Sequence, residues 1–160
     1  MKGKKKELVR QLKEMILNGH AHVTLEQALE KIPKKIRGTI PDHLPYSIWQ
    51  IVEHIRITQW DILEFSRNPD HVSPKWPEEY WPEKKSPKDE AEWEQALEQI
   101  IMDRNDFIAL LEEEEADLYT PFEHGDGQNL LREAMLIADH TSYHTGELIV
   151  LRRLQGAWKK

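Results

Sequence analysis

The sequence predicts an all-α fold, a four-helix bundle of up-and-down type with one long crossover loop. Three observations carry that prediction. Four long stretches repeat apolar residues at intervals of three and four, the period of a helix with one buried face. No stretch alternates apolar and polar residues for long enough to make a convincing strand. The 7 glycines are few, and the 9 prolines cluster between the periodic stretches, where they punctuate helices without breaking them. A chain of 160 residues suits one domain, 1–160, with a full-sized core.

Each element has its own signal. The first helix is predicted over residues 4–18, with Leu8, Leu12, Met15 and Ile16 as its apolar face and Gly19 as its stop. Thr24-Leu25-Glu26-Gln27 has the form of a capping box and opens a short helix that finishes near Pro33. Residues 38–45 read as a loop. The next helix starts at Tyr46 or Ser47, ends near Arg67, and turns Ile48, Ile51, Val52, Ile55 and Ile62 inward. Residues 68–86 form the long connection, with Pro69, Pro74, Pro77 and Pro82 interleaved with Trp76, Tyr80 and Trp81. A loop of that length is uncommon in a compact domain and is often functional. It either plugs one end of the core or walls a substrate pocket. Ser86 and Pro87 are the expected N-cap and first turn of the third long helix, along which Trp93, Leu97, Ile100, Phe107 and Leu111 share a face. Acidic residues 112–115 sit near its end, where they oppose the helix dipole and favour fraying. A loop over 118–127 leads to the final helix, 128–155, closed by Gly156.

Composition removes several function classes. The net charge is −7 and the pI near 5.6, which is wrong for a general nucleic-acid binder. Lys2, Lys4, Lys5 and Lys6 make a short basic tip, read as a solvated helix end. No apolar run is long enough to span a bilayer, and the N-terminus lacks the apolar core of a signal peptide. A cytoplasmic protein is the expectation. With no cysteine there is no disulfide, thiolate ligand or cysteine nucleophile, so a metal site would have to use His, Asp or Glu. The 6 tryptophans are many for this length and are expected in the core or a pocket wall.

The chemistry concentrates in the last helix. Leu130, Ala134, Ile137, His144, Leu148 and Leu151 fall on one face, and His140 shares it. Random placement of 8 His over 160 residues would itself give about a third of one such i,i+4 pair. The core-facing position is what adds weight. Buried imidazoles need partners, and side chains one helical turn apart can reach one ion with bonds of about 2.0–2.1 Å. Two readings stand at this point: core histidines hydrogen-bonded to carbonyls or carboxylates, or two ligands of a metal. A third ligand would come from a facing helix, and His54 at the border of an apolar face is the choice. His43, His71 and His124 lie in predicted loops, and His20 and His22 beside a helix break, which makes all five weaker. The zinc-protease motif is excluded, because Thr141 stands where that motif needs a glutamate. Glu53, Asp139 and Glu147 are the nearby candidates to orient a ligand, Trp49, Trp76 and Trp81 the candidates to line a pocket mouth, and Tyr143 is read as a packing residue, with an acid or hydrogen-bond donor as the alternative. No general base is named.

Several segments together resemble one family. These are Ser47-Ile48-Trp49-Gln50-Ile51-Val52-Glu53-His54-Ile55, Trp60-Asp61-Ile62-Leu63, Trp76-Pro77-Glu78-Glu79-Tyr80-Trp81-Pro82, His124-Gly125-Asp126-Gly127-Gln128 and Ala138-Asp139-His140-Thr141-Ser142-Tyr143-His144. Over nearly the whole chain the sequence resembles the DinB/YfiT-like superfamily of bacterial proteins. The resemblance implies a four-helix bundle with a divalent metal on three histidines, at positions matching His54, His140 and His144. Nickel or zinc is the ion it implies first; imidazole ligands also suit iron or manganese. It further implies that some members are transferases or isomerases using a low-molecular-weight thiol, and that members often pair, so a homodimer is compatible with it. The functional expectation is a metal-dependent enzyme, acting on a small molecule, with thiol S-transfer as one form. The alternative is a noncatalytic metal-binding or structural bundle serving as a stress-associated binding module.

Overall fold

A computed structural model describes residues 2–19 and 21–158. His20, and with it the His20–His22 pair, lies outside the described residues. The described chain is all-helical. It contains α1 (Lys2–Asn18), α2 (Leu25–Leu29), α3 (Ile48–Arg67), α4 (Glu90–Glu112) and α5 (Leu130–Leu154), with short 3-10 turns at Lys34–Ile36 and Glu78–Tyr80. The long helices α1, α3, α4 and α5 form the bundle, in which α3 packs on α4 and α5, and α1 on α5 and α4.

The ends of these helices follow local chemistry. Gly19 and Gly156 adopt φ of +57° and +68°, the left-handed geometry that terminates a helix without a Cβ penalty. Thr24 and Gln27 form the expected capping box. A second box joins Ser47 and Gln50 at the start of α3, so that helix begins at Ile48. Three boundaries or faces differ from expectation. First, α2 stops at Leu29, because Glu30 is extended and Lys31 takes φ +55°. Second, α4 starts at Glu90, not at Pro87: the Asp89 carboxylate accepts the Glu92 amide, while Ser86 is held against Gly38, where an added Cβ would overlap it. Third, the buried face of α1 runs through Val9, Leu12 and Ile16, leaving Met15 exposed.

The bundle has two apolar cores. One joins α2 to Ile48, Ile51, Val52 and Ile55 of α3, Trp93 and Ile100 of α4, and Leu148 and Leu151 of α5. The other joins α1 to Ile62 and Leu63, Phe107 and Leu111, and Leu130, Ala134 and Ile137. Between them each bundle helix except α1 contributes buried polar residues: His54, Thr58 and Gln59 from α3, Asp103 and Arg104 from α4, His144 and Thr145 from α5. The molecule therefore has a polar waist.

The crossover between α3 and α4 folds back along α3. Ser47 Oγ donates to the Lys85 carbonyl at 2.5 Å, and Gln50 Nε2 to the Pro82 carbonyl at 3.0 Å. These bonds lay the proline- and tryptophan-rich segment over the polar edge of α3. Among the described residues no helix is long and apolar enough to cross a membrane. The lysine tip lies at the start of α1, where Lys5 Nζ donates to the carbonyls of Glu113 and Glu114.

Candidate metal centre

At the waist, α3 and α5 bring His54, His140 and His144 together. His140 and His144 stand one turn apart on α5 with ring centroids 4.4 Å apart; His54 faces them from α3 at 4.8 and 4.7 Å. One ring nitrogen from each lies within 4.8 Å of the others. The Nε2 atoms of His54 and His140 are separated by 3.0 Å. Two nitrogens bound to one ion at about 2.0–2.1 Å, at angles from square to tetrahedral, lie about 2.9–3.4 Å apart. The observed separation falls in that interval, so the donor set fits a shared cation without rearrangement of this pair.

The other nitrogens are engaged in the way metal-binding imidazoles require. His54 Nδ1 lies 2.9 Å from the Tyr80 carbonyl oxygen, which can only accept, so this nitrogen carries the proton and Nε2 keeps its lone pair. His144 Nδ1 lies 2.7 Å from a Glu147 carboxylate oxygen, and the other Glu147 oxygen accepts from the Tyr46 hydroxyl. Of the three acids named from sequence, Glu147 alone has this role. Glu53 pairs with Arg56, and Asp139 is exposed.

Burial sets the charge state. It lowers the His54 imidazole to about 4 and that of His140 to about 3, with the neighbouring imidazoles adding to the effect. His144 is lowered by burial against the opposing pull of Glu147. Three neutral imidazoles are what a divalent cation needs. The Tyr46 hydroxyl, partly buried against Glu147, is held protonated well above the usual phenol range.

Aromatic rings wall this group. Trp81 stacks on His54 with centroids 3.9 Å apart and planes 6° from parallel, and Tyr46 stacks on Trp81 at 5.4 Å. Trp76 stands 6.5 Å from His54 and is 68% exposed. The crossover is thus a wall of the histidine site. It also explains why His54 is 2% exposed where the sequence placed it at a border: the covering surface comes from the loop. Tyr143, assigned to packing, is instead 64% exposed, with its ring set against the edge of His144. Trp49, expected at the pocket mouth, is instead a core residue beside Trp93, and Trp60 is at the surface.

The remaining histidines have separate partners. His71 Nε2 meets Asp61, His124 Nε2 meets the Phe65 carbonyl, and His22 lies between the Val23 carbonyl and Ser142. His43 is an exposed loop residue with φ +67°. Sequence reasoning did not find Tyr80 or Tyr46. The first acts through its backbone carbonyl, which no residue type signals, and the second sits next to a helix cap that already explained its position.

No curated protein and no solved structure matches the chain. The family model described as DinB superfamily matches residues 20–148, which include the three histidines, Tyr46, Tyr80, Trp81 and Glu147. An all-helical bundle with a three-histidine group between two of its long helices agrees with that match, and the chain belongs to the DinB superfamily.

Proposed function

We propose that this protein is a metal-dependent enzyme in which His54, His140 and His144 hold one divalent cation, nickel or zinc, with a coordination position left for a small-molecule substrate. The observation that supports this most is the convergence of three neutral imidazoles, two of them with Nδ1 already committed to an acceptor. An ion bound there would polarise a water or favour the thiolate form of a bound thiol. The chain's own residues supply the rest. Glu147 and the Tyr80 carbonyl fix ring orientation, Trp81 shields His54 from water, and Trp76 and Tyr143 border the group from exposed positions. Three neutral ligands leave the 2+ charge uncompensated, which favours an anionic ligand at the open position.

The reaction class we favour is S-transfer from a low-molecular-weight thiol to an electrophile. The thiol sulfur forms the new bond to the electrophilic carbon, the leaving group departs with its electron pair, and the thiol proton passes to solvent. Because the chain has no cysteine, the thiol has to arrive as a ligand.

The test is elemental analysis of protein purified without an affinity tag, beside His54→Ala and His144→Ala. One metal per chain in the wild type and its loss in both variants are expected; stoichiometric retention in both variants would sink the site. A screen of thiols against electrophiles then reads the chemistry. Turnover unaffected by metal removal would reject the metal-dependent reading, and absence of turnover with any thiol would leave a binding bundle.

A further inference from the structure

Asp61 lies seven residues beyond His54 on α3, two turns along the same edge of the helix. It is buried, at 9% exposure. Both of its carboxylate oxygens are used by the crossover. Oδ2 accepts from the Tyr80 hydroxyl at 2.5 Å, and Oδ1 meets His71 Nε2 at 2.8 Å. An ionised carboxylate can only accept, so the Tyr80 hydroxyl is the donor of this bond. It therefore acts as a fixed donor. The backbone carbonyl of this same Tyr80 lies on His54 Nδ1, and the following residue, Trp81, stacks on the His54 ring.

We propose that Asp61 and Tyr80 form a latch that positions His54, holding the Tyr80 carbonyl where it fixes the Nδ1–H tautomer and leaves Nε2 free toward the other two imidazoles. The inference rests on the metal-site reading above. A covalent path connects the two ends: the Tyr80 side chain is gripped by α3 at Asp61, and its main chain returns to α3 at His54. Four points along one edge of that helix, Ser47, Gln50, His54 and Asp61, bind the crossover in reverse order, at Lys85, Pro82, the Tyr80 carbonyl and the Tyr80 hydroxyl. Asp61 is the last of these grips. It also holds His71, whose ring lies edge-on to Trp60 at 5.2 Å, so the approach to Tyr80 is pinned as well. Without the grip, Tyr80 is free to rotate about its backbone, and the carbonyl is no longer confined to His54. A carbonyl that only accepts is what distinguishes the two tautomers of a neutral imidazole.

A merely structural pair would affect stability and leave the tautomer of one histidine alone, so the test reads the tautomer. Tyr80→Phe removes the latch hydroxyl while retaining the ring and the carbonyl. In metal-free protein, nitrogen NMR of the ring nitrogens should show His54 as the Nδ1–H tautomer in the wild type. In Tyr80→Phe it should move toward a mixture with Nε2–H, with His144 unchanged because Glu147 still orients it. In zinc competition against a chromogenic chelator, Tyr80→Phe should weaken binding about 10- to 100-fold, the usual effect of losing a group that orients a ligand. Asp61→Ala should do the same, and the double variant should be no worse than the weaker-binding single variant. Should Asp61→Ala fail to fold, Tyr80→Phe decides alone. An unchanged His54 tautomer in folded Tyr80→Phe overturns the latch, as does equal disturbance of His54 and His144. Should wild-type protein take up no zinc, the metal-site reading falls while the NMR comparison still decides whether Tyr80 positions His54.

Discussion

Glu147 serves two partners with its two oxygens: one faces the Nδ1 of His144, the other accepts from Tyr46. Its side chain is mostly buried, so its charge is weakly screened and its orientation well held. Glu147→Ala is expected to weaken metal binding about 10- to 100-fold in a chelator competition, because His144 loses the acceptor that fixes its ring. Tyr46→Phe should cost less, since Glu147 still reaches His144. Equal binding by wild type and Glu147→Ala would remove Glu147 from the site. The three clustered histidines were legible in the sequence, as two imidazoles on a core stripe and a third beside another. Their orienting partners were legible only in part. Glu53, Asp139 and Glu147 are indistinguishable by nearness along the chain; the arrangement of α5 against Tyr46 separates them. Tyr80 was hidden altogether, since a carbonyl is common to every residue.

Among the elements, the start of α3 carries the most consequence for the site. Ser47 is fully buried; its hydroxyl accepts the Gln50 amide and donates to the Lys85 carbonyl, so one side chain both caps the helix and anchors the crossover. Ser47→Ala is expected to lower stability by about 1–2 kcal/mol, the upper part of the range for a lost N-cap, because the Lys85 carbonyl also loses its donor. Asp89→Ala, at the exposed cap of α4, should cost about 1 kcal/mol or less. Equilibrium urea unfolding of the two variants checks the order, and an Asp89 effect larger than that of Ser47 would contradict it. The long helices were readable from periodicity because each buries a continuous stripe. The errors fell where two local signals compete within a few residues. Ser86-Pro87 and Asp89-Glu90 are both good helix starts, and the choice is made by the packing of residue 86 against Gly38, distant in sequence. Met15 and Val9 lie on adjoining edges of α1, and only the position of α5 and α4 against that helix selects Val9.

For the whole molecule, the decisive feature is that the histidines sit at a polar waist between two apolar cores. Thr58 Oγ1, Gln59 Oε1, Asp103 Oδ2 and Arg104 Nε, all in that layer, are buried with no hydrogen-bond partner among the described residues. Each such group destabilises by about 1–3 kcal/mol relative to a satisfied one. The waist is therefore held by the cores on either side, and charging it should be costly. The sign follows from the imidazoles. Burial holds His54 at about 4 and His140 at about 3, against an ordinary value of 6.5. Well above pH 6.5 both are neutral in folded and unfolded chains, so they add no pH dependence there. As pH falls below 6.5 the unfolded chain takes up protons first, and folded stability declines until the folded imidazoles themselves protonate near 4 and 3. Metal-free protein should thus show a lower urea midpoint at pH 5 than at pH 7.5, and His140→Asn should flatten that difference. A saturating cation acts in the opposite direction. Bound to the folded state alone, it stabilises by about 2.7 kcal/mol when present at 100 times its dissociation constant. Zinc should accordingly raise the midpoint at pH 7.5 in wild type and leave His54→Ala unmoved. The same lowered imidazoles stay unprotonated at pH 5.5, so proton competition for the folded ligands is weak, and zinc affinity should change much less between pH 7.5 and 5.5 than for a site built from ordinary histidines. A tenfold loss per histidine over that interval would show that the waist does not hold its imidazoles neutral.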